Sequence, residues 1–64
     1  MKVRFETGRF EASWGKKPRG TGGWAFEHED GQLFTYVYGT LTKAKAVAAR
    51  RARERGVTVL VVAS

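Results

Sequence analysis

The side chains with the most chemical potential are cationic, and they come in two runs. Lys16-Lys17-Pro18-Arg19-Gly20 carries three bases in five residues, and Lys43, Lys45, Arg50, Arg51, Arg53 and Arg55 crowd residues 43–55 against a single acid, Glu54. Bases at this density attract polyanions, and phosphate neutralisation supplies much of nucleic-acid affinity. The same residues also suit a solvated helix face, since Lys and Arg favour helices and those in a last turn complement the helix dipole. Acid–base or metal chemistry has one focus, His28 with Glu27, Glu29 and Asp30. In a strand, alternation turns His28 away from Glu27 and Glu29, so the group does not converge. With no cysteine and no second histidine, thiolate and paired-histidine metal sites are excluded. No cofactor or metal is expected. No nucleophile, base and orienting group can be assembled, so the composition argues against an enzyme.

The net charge of +6 is unevenly placed. Residues 1–20 carry six Lys/Arg against two Glu, residues 21–42 carry three acids and no Lys/Arg, and residues 43–55 carry six Lys/Arg against one Glu. A chain of 64 residues makes one domain, 1–64, with a small core. The start Met1-Lys2-Val3-Arg4 lacks the apolar run of a signal peptide, and no segment approaches membrane-spanning length. A cytoplasmic location with no membrane partner is expected.

The elements that must position the bases read as follows. Residues 1–14 alternate in type around Thr7-Gly8, which predicts two strands and a tight turn, setting Phe5 opposite Phe10, Arg4 opposite Glu11 and Glu6 opposite Arg9. A second hairpin is predicted around Asp30-Gly31, pairing Trp24 with Val37, Phe26 with Thr35 and His28 with Leu33, and, on the other face, Ala25 with Tyr36 and Glu27 with Phe34. Residues 15–23, with four glycines and a proline, predict a mobile basic loop. A helix is predicted over Thr42 to Arg55, with Thr42 as N-cap and Gly56 just past its end. Its stripe of Leu41, Ala44, Ala48 and Ala52, with Val47 beside it, would lie on the sheet, while Lys43, Arg50 and Arg53 point away. Val57 to Ala63 reads as a final apolar strand covered on both faces. The expected fold is α+β: an antiparallel sheet of four or five strands, β-β-β-β-α-β in order 5-1-2-3-4, with one helix on one face. At an edge, the last strand would be a pairing hazard that a homodimer would relieve.

The segment from Gly23-Trp24-Ala25-Phe26 through Gly39-Thr40-Leu41-Thr42-Lys43-Ala44 to Val47-Ala48, within residues 22–55, resembles the plant AP2 DNA-binding domain. It is similar too to the arm-site-binding N-terminal domains of phage and transposon integrases. The resemblance implies three antiparallel strands against one helix, DNA binding, and a phage or mobile-element origin. In the AP2 type the exposed sheet face reads DNA, which here would leave Arg4 and Arg9 as the sheet readers. On the predicted outer face, Lys2, Arg4 and Arg9 meet Glu6, Glu11, Glu27 and Glu29, so that face has no positive excess. Residues 22–62 also look similar to short bacterial proteins of unassigned function. The loop Lys16-Lys17-Pro18-Arg19-Gly20 resembles the centre of an AT-hook, whose arginine enters a narrow minor groove.

Two functions are therefore expected, in this order. The first is a small basic DNA-binding module that contacts phosphates through Lys16, Lys17, Arg19, Thr42, Lys43, Lys45, Arg50 and Arg53. The second is a protein-binding adaptor or inhibitor that uses an exposed row of Phe34, Tyr36 and Tyr38 beside the acids, because tyrosines anchor interfaces.

Overall fold

The computed structural model describes residues 2–63. Its elements run β1 (Arg4–Glu6), α1 (Gly8–Trp14), β2 (Thr21–Glu27), β3 (Leu33–Thr40), α2 (Leu41–Arg55) and β4 (Val59–Val62). The strands form one sheet in the order β1-β4-β2-β3. The class is α+β, but the sheet is mixed rather than antiparallel: β4 runs parallel to β1 and antiparallel to β2. Two helices replace the expected one, and the order differs from 5-1-2-3-4. The last strand does lie beside the first, yet it sits inside the sheet and not at its edge. Leu60, Val61 and Val62 are all buried, so β4 has no polar face that an edge position would leave wet, and a central place is the one that covers it.

The predicted first hairpin does not form. Gly8–Trp14 is a helix. A seven-residue segment with Phe10, Ala12 and Trp14 satisfies a period of two, but Phe10 and Trp14 also stand one helical turn apart, and their rings meet at 5.9 Å. The Thr7 hydroxyl donates to the Glu11 carboxylate at 2.6 Å across the first turn. Gly15, at φ 71°, ends the helix and returns its N–H to the Glu11 carbonyl. Phe10 alone of α1 is buried, its ring 5.7 Å from that of Trp24. The cross-strand pairs expected of the hairpin are replaced accordingly. Phe5 stands beside Leu60 and meets Phe26 edge-on at 5.6 Å, while Arg4 pairs with Glu6 of its own strand.

In the second hairpin, the pairs Trp24–Val37, Ala25–Tyr36 and Phe26–Thr35 are as predicted. The turn is longer. No non-glycine residue among those described has positive φ, so Asp30 does not occupy the two-residue turn that requires it. Gly31, at φ 94°, donates to the His28 carbonyl, and the His28 N–H bonds to the Gln32 carbonyl. This is a three-residue loop closed by a left-handed glycine, with the Asp30 carboxylate accepting the Gln32 N–H at 3.0 Å. The extra residue is absorbed as a bulge after Phe26, where Glu27 faces Leu33 instead of Phe34, and His28 leaves the ladder.

The ladder also reaches further back than expected. Residues 21–23, assigned to the loop, begin β2, with Gly22 beside Gly39 and Gly23 beside Tyr38. The Tyr36 side chain lies across Gly23, where a Cβ would overlap its hydroxyl. That ring supplies the cover a glycine strand lacks.

Helix α2 begins one residue early, at Leu41, and its cap is Thr40, not Thr42. The Thr40 hydroxyl accepts the Lys43 N–H at 3.2 Å, and its extended backbone (φ −69°, ψ 152°) continues β3 directly into the helix. Gly56 closes the far end at φ 71°. Ala44, Ala48 and Ala52 are fully buried, as the stripe predicted, against a core of Trp24, Phe26, Leu60 and Val62. The Trp24 indole N–H is satisfied by the Gly39 carbonyl at 3.2 Å. No helix among the described residues is long and apolar enough to cross a membrane.

Candidate nucleic-acid interface

The basic loop and the start of α2 adjoin because the β2–β3 ladder ends at both. Thr21 stands opposite Thr40, and one residue further the Leu41 N–H donates to the Gly20 carbonyl at 2.9 Å. Residues 16–20, running from the Gly15 cap of α1 to β2, thus finish against the first turn of α2. Lys16, Lys17 and Arg19 are exposed, and Pro18 is half-buried. On α2, Thr42, Lys43, Arg50 and Arg53 are exposed and lie opposite the alanine stripe, with Ala46 exposed among them. Lys43 and Arg53 are separated by about 15 Å of helix rise, a length over which one DNA strand presents about four phosphates.

The remaining bases are held elsewhere. Lys45 is half-buried, its ammonium 5.5 Å from the centre of the Phe5 ring, in a hollow shared with Lys2, Val3 and Arg4. It faces β1 and does not join the outward face of α2. Arg51 crosses to β3 and donates to the Thr35 hydroxyl at 2.6 Å. With Glu54 and Arg55 it borders a groove against Phe34 and Thr35.

Both sheet-reading candidates are engaged. Arg4 is paired with Glu6. Arg9 is not on a strand at all: it projects from α1, bonds to the Glu29 carbonyl at 2.9 Å and lies 3.6 Å from the Glu27 carboxylate. These are the only two ion pairs among the described residues, so no base of the loop or of α2 has a carboxylate partner.

The expected aromatic row is split. Tyr36 and Tyr38 share the outer sheet face and are 57% and 75% exposed. Phe34 does not join them, because the bulge breaks the alternation. It is half-buried, packs on the core and meets the His28 ring edge-on at 5.2 Å. Among the described residues no three His, Asp or Glu side chains gather closely enough to hold a metal ion. Two features leave little signal along the chain. One is the seating of Tyr36 over Gly23, for which the only signal was a Gly-Gly pair facing alternate tyrosines. The other is the tethering of the basic loop to α2, which needed the ladder extended to Thr21.

No protein family model, curated protein or solved structure matches the chain.

Proposed function

We propose that the chain is a small, non-enzymatic nucleic-acid-binding module, with duplex DNA as its first partner, that contacts phosphates through Lys16, Lys17 and Arg19 and through Thr42, Lys43, Arg50 and Arg53 on the outward face of α2. The observation that carries this reading is the partition of charge. Glu6 and Glu27 are paired with Arg4 and Arg9, while the loop and α2 carry bases with no carboxylate within 4.0 Å among the described residues. Unpaired bases are free to release phosphate counterions without first breaking an internal contact. The resemblance to AP2-type domains points to DNA as well, and the engagement of Arg4 and Arg9 supports contact through the loop and helix rather than the sheet. With six bases in contact, binding to a random duplex should weaken with a log–log salt slope of up to about −5. Titration of labelled random-sequence duplex at two salt concentrations tests this. Absence of binding at low salt, or affinity indifferent to salt, contradicts it.

The exposure of Tyr36 and Tyr38 favours a second reading, in which the outer sheet face binds a partner protein. Under that reading Tyr38→Ala keeps the far-UV circular dichroism and loses a partner retained by the native chain. An unchanged partner set counts against it.

A further inference from the structure

The two edges of the sheet, β1 and β3, are built differently. β1 is three residues long and carries Arg4 and Glu6, a short charged edge of the kind that resists pairing. β3 is eight residues long, Leu33–Thr40, with no charged residue and no proline. Its one register shift, the bulge, lies at the hairpin end, and its one residue of positive φ, Gly39 at 145°, lies next to the other end.

Two hydrogen bonds set the phase of the ladder. The Leu41 N–H reaches the Gly20 carbonyl, and the Ala63 N–H reaches the Ala25 carbonyl. In an antiparallel ladder the residues that bond across a given pair of strands alternate. Val37 and Gly39 therefore bond to β2, and Ala25 turns to β4. Tyr36 and Tyr38, opposite Ala25 and Gly23, turn their N–H and C=O groups away from β2 into the space beyond the edge. Their side chains are also the exposed ones on the outer face.

We propose that β3 pairs antiparallel with β3 of a second copy of this chain, about a two-fold axis at Val37. In that register Tyr36 stands opposite Tyr38 of the second copy and Tyr38 opposite its Tyr36. The N–H and C=O groups of Tyr36 and Tyr38 on one copy meet those of Tyr38 and Tyr36 on the other, and the tyrosines pair across the junction on the outer face. Such self-complementarity is what a two-fold interface requires. A chain of net charge +6 places no charge on this strand. Two bases of α2 touch the strand: the Lys43 stem passes Gly39, and Arg51 bonds to Thr35, which would face Gly39 of the second copy. The two Thr35 positions are then four residues apart along the ladder, roughly 13 Å, beyond the Debye length at physiological salt. On the inner face Thr35 and Val37 are only half-buried, so α2 leaves this edge partly open.

Light scattering across a concentration series is the test, joined to amide hydrogen exchange. The native chain should approach twice its 7.1 kDa mass as concentration rises. The Tyr36 and Tyr38 amides should be slow to exchange in that state and fast on dilution, while the Val37 amide, bonded to β2, stays slow throughout. Tyr38→Lys, at a residue 75% exposed, should hold the monomer mass at every concentration with unchanged circular dichroism. The dilution series on the native chain gives the same answer without relying on that variant. A monomer mass throughout, a dimer that survives Tyr38→Lys, or a dimer whose Tyr36 and Tyr38 amides exchange freely would each overturn the proposal; the last would mean that the sheet faces meet and the edges do not.

Discussion

Two threonines near the start of α2 should respond to alanine with opposite signs. The Thr40 hydroxyl accepts the Lys43 N–H at 3.2 Å and caps the helix, so Thr40→Ala removes a capping acceptor and should cost about 1 kcal/mol, within a range of about 0.5–2. Thr42 lies inside the first turn and is exposed. There alanine relieves the entropy that a β-branched side chain loses in a helix, so Thr42→Ala should stabilise by about 0.5 kcal/mol. The two variants thus differ by about 1.5 kcal/mol. In a domain this small, 1 kcal/mol shifts the melting temperature by about 4–8 °C. Thr40→Ala should melt several degrees below the native chain and Thr42→Ala a few degrees above it. Urea unfolding followed by circular dichroism at 222 nm measures both, with an unchanged m-value showing that the unfolded reference is the same. If Thr42→Ala proves the more destabilising of the two, the cap is at Thr42 and the account of how β3 passes into α2 is wrong.

Other consequences are equally specific. Phe26 is fully buried against the alanine stripe and Phe5, and Phe26→Ala should cost about 3–5 kcal/mol. Since a core this small supplies no more than about 3–5 kcal/mol, thermal melting should find the variant largely unfolded or barely folded at 25 °C. Gly56→Ala, at φ 71°, should cost about 1 kcal/mol in urea unfolding through strain in the left-handed cap. Ala48 is fully buried under α2, and Ala48→Leu should lose about 1–3 kcal/mol by lifting the helix from the sheet, read as a lower urea midpoint. For DNA, Arg50→Gln with Arg53→Gln should flatten the log–log salt slope of binding by nearly two with no change in melting temperature.

The parts of the fold that were legible in the sequence are those whose signals are local and redundant. α2 has a 3.6-residue alanine stripe, bases at its end and a terminal glycine, all pointing to one answer. The β2–β3 hairpin is held by Trp24–Val37 and Phe26–Thr35, and one bulge near its turn leaves those pairs in place. α1 reads as a strand because a short segment with Phe10, Ala12 and Trp14 satisfies both periods, and the decision lies in a distant contact, Phe10 against Trp24. The turn failed on backbone grounds: Asp-Gly favours a turn that needs positive φ at both residues, and here only Gly31 adopts it. β4 was recognised as doubly covered, but its neighbour on the far side depended on where α1 takes the chain. As for the candidate site, the bases were visible as charge runs. That Arg4 and Arg9 are tied down, that Lys45 turns toward Phe5, and that Phe34 leaves the tyrosine row all follow from tertiary contacts that no spacing rule carries.

Nucleic acid, when bound, should meet the loop and α2 rather than the outer sheet face. Amide chemical-shift mapping of the isotope-labelled chain titrated with random-sequence duplex DNA at low salt tests it most directly. Perturbations should concentrate at Lys16 to Gly20, Thr42, Lys43, Ala46, Arg50 and Arg53, with Ala25, Tyr36 and Tyr38 unmoved. Perturbations centred on Ala25, Tyr36 and Tyr38, or none at any residue at low salt, would contradict it.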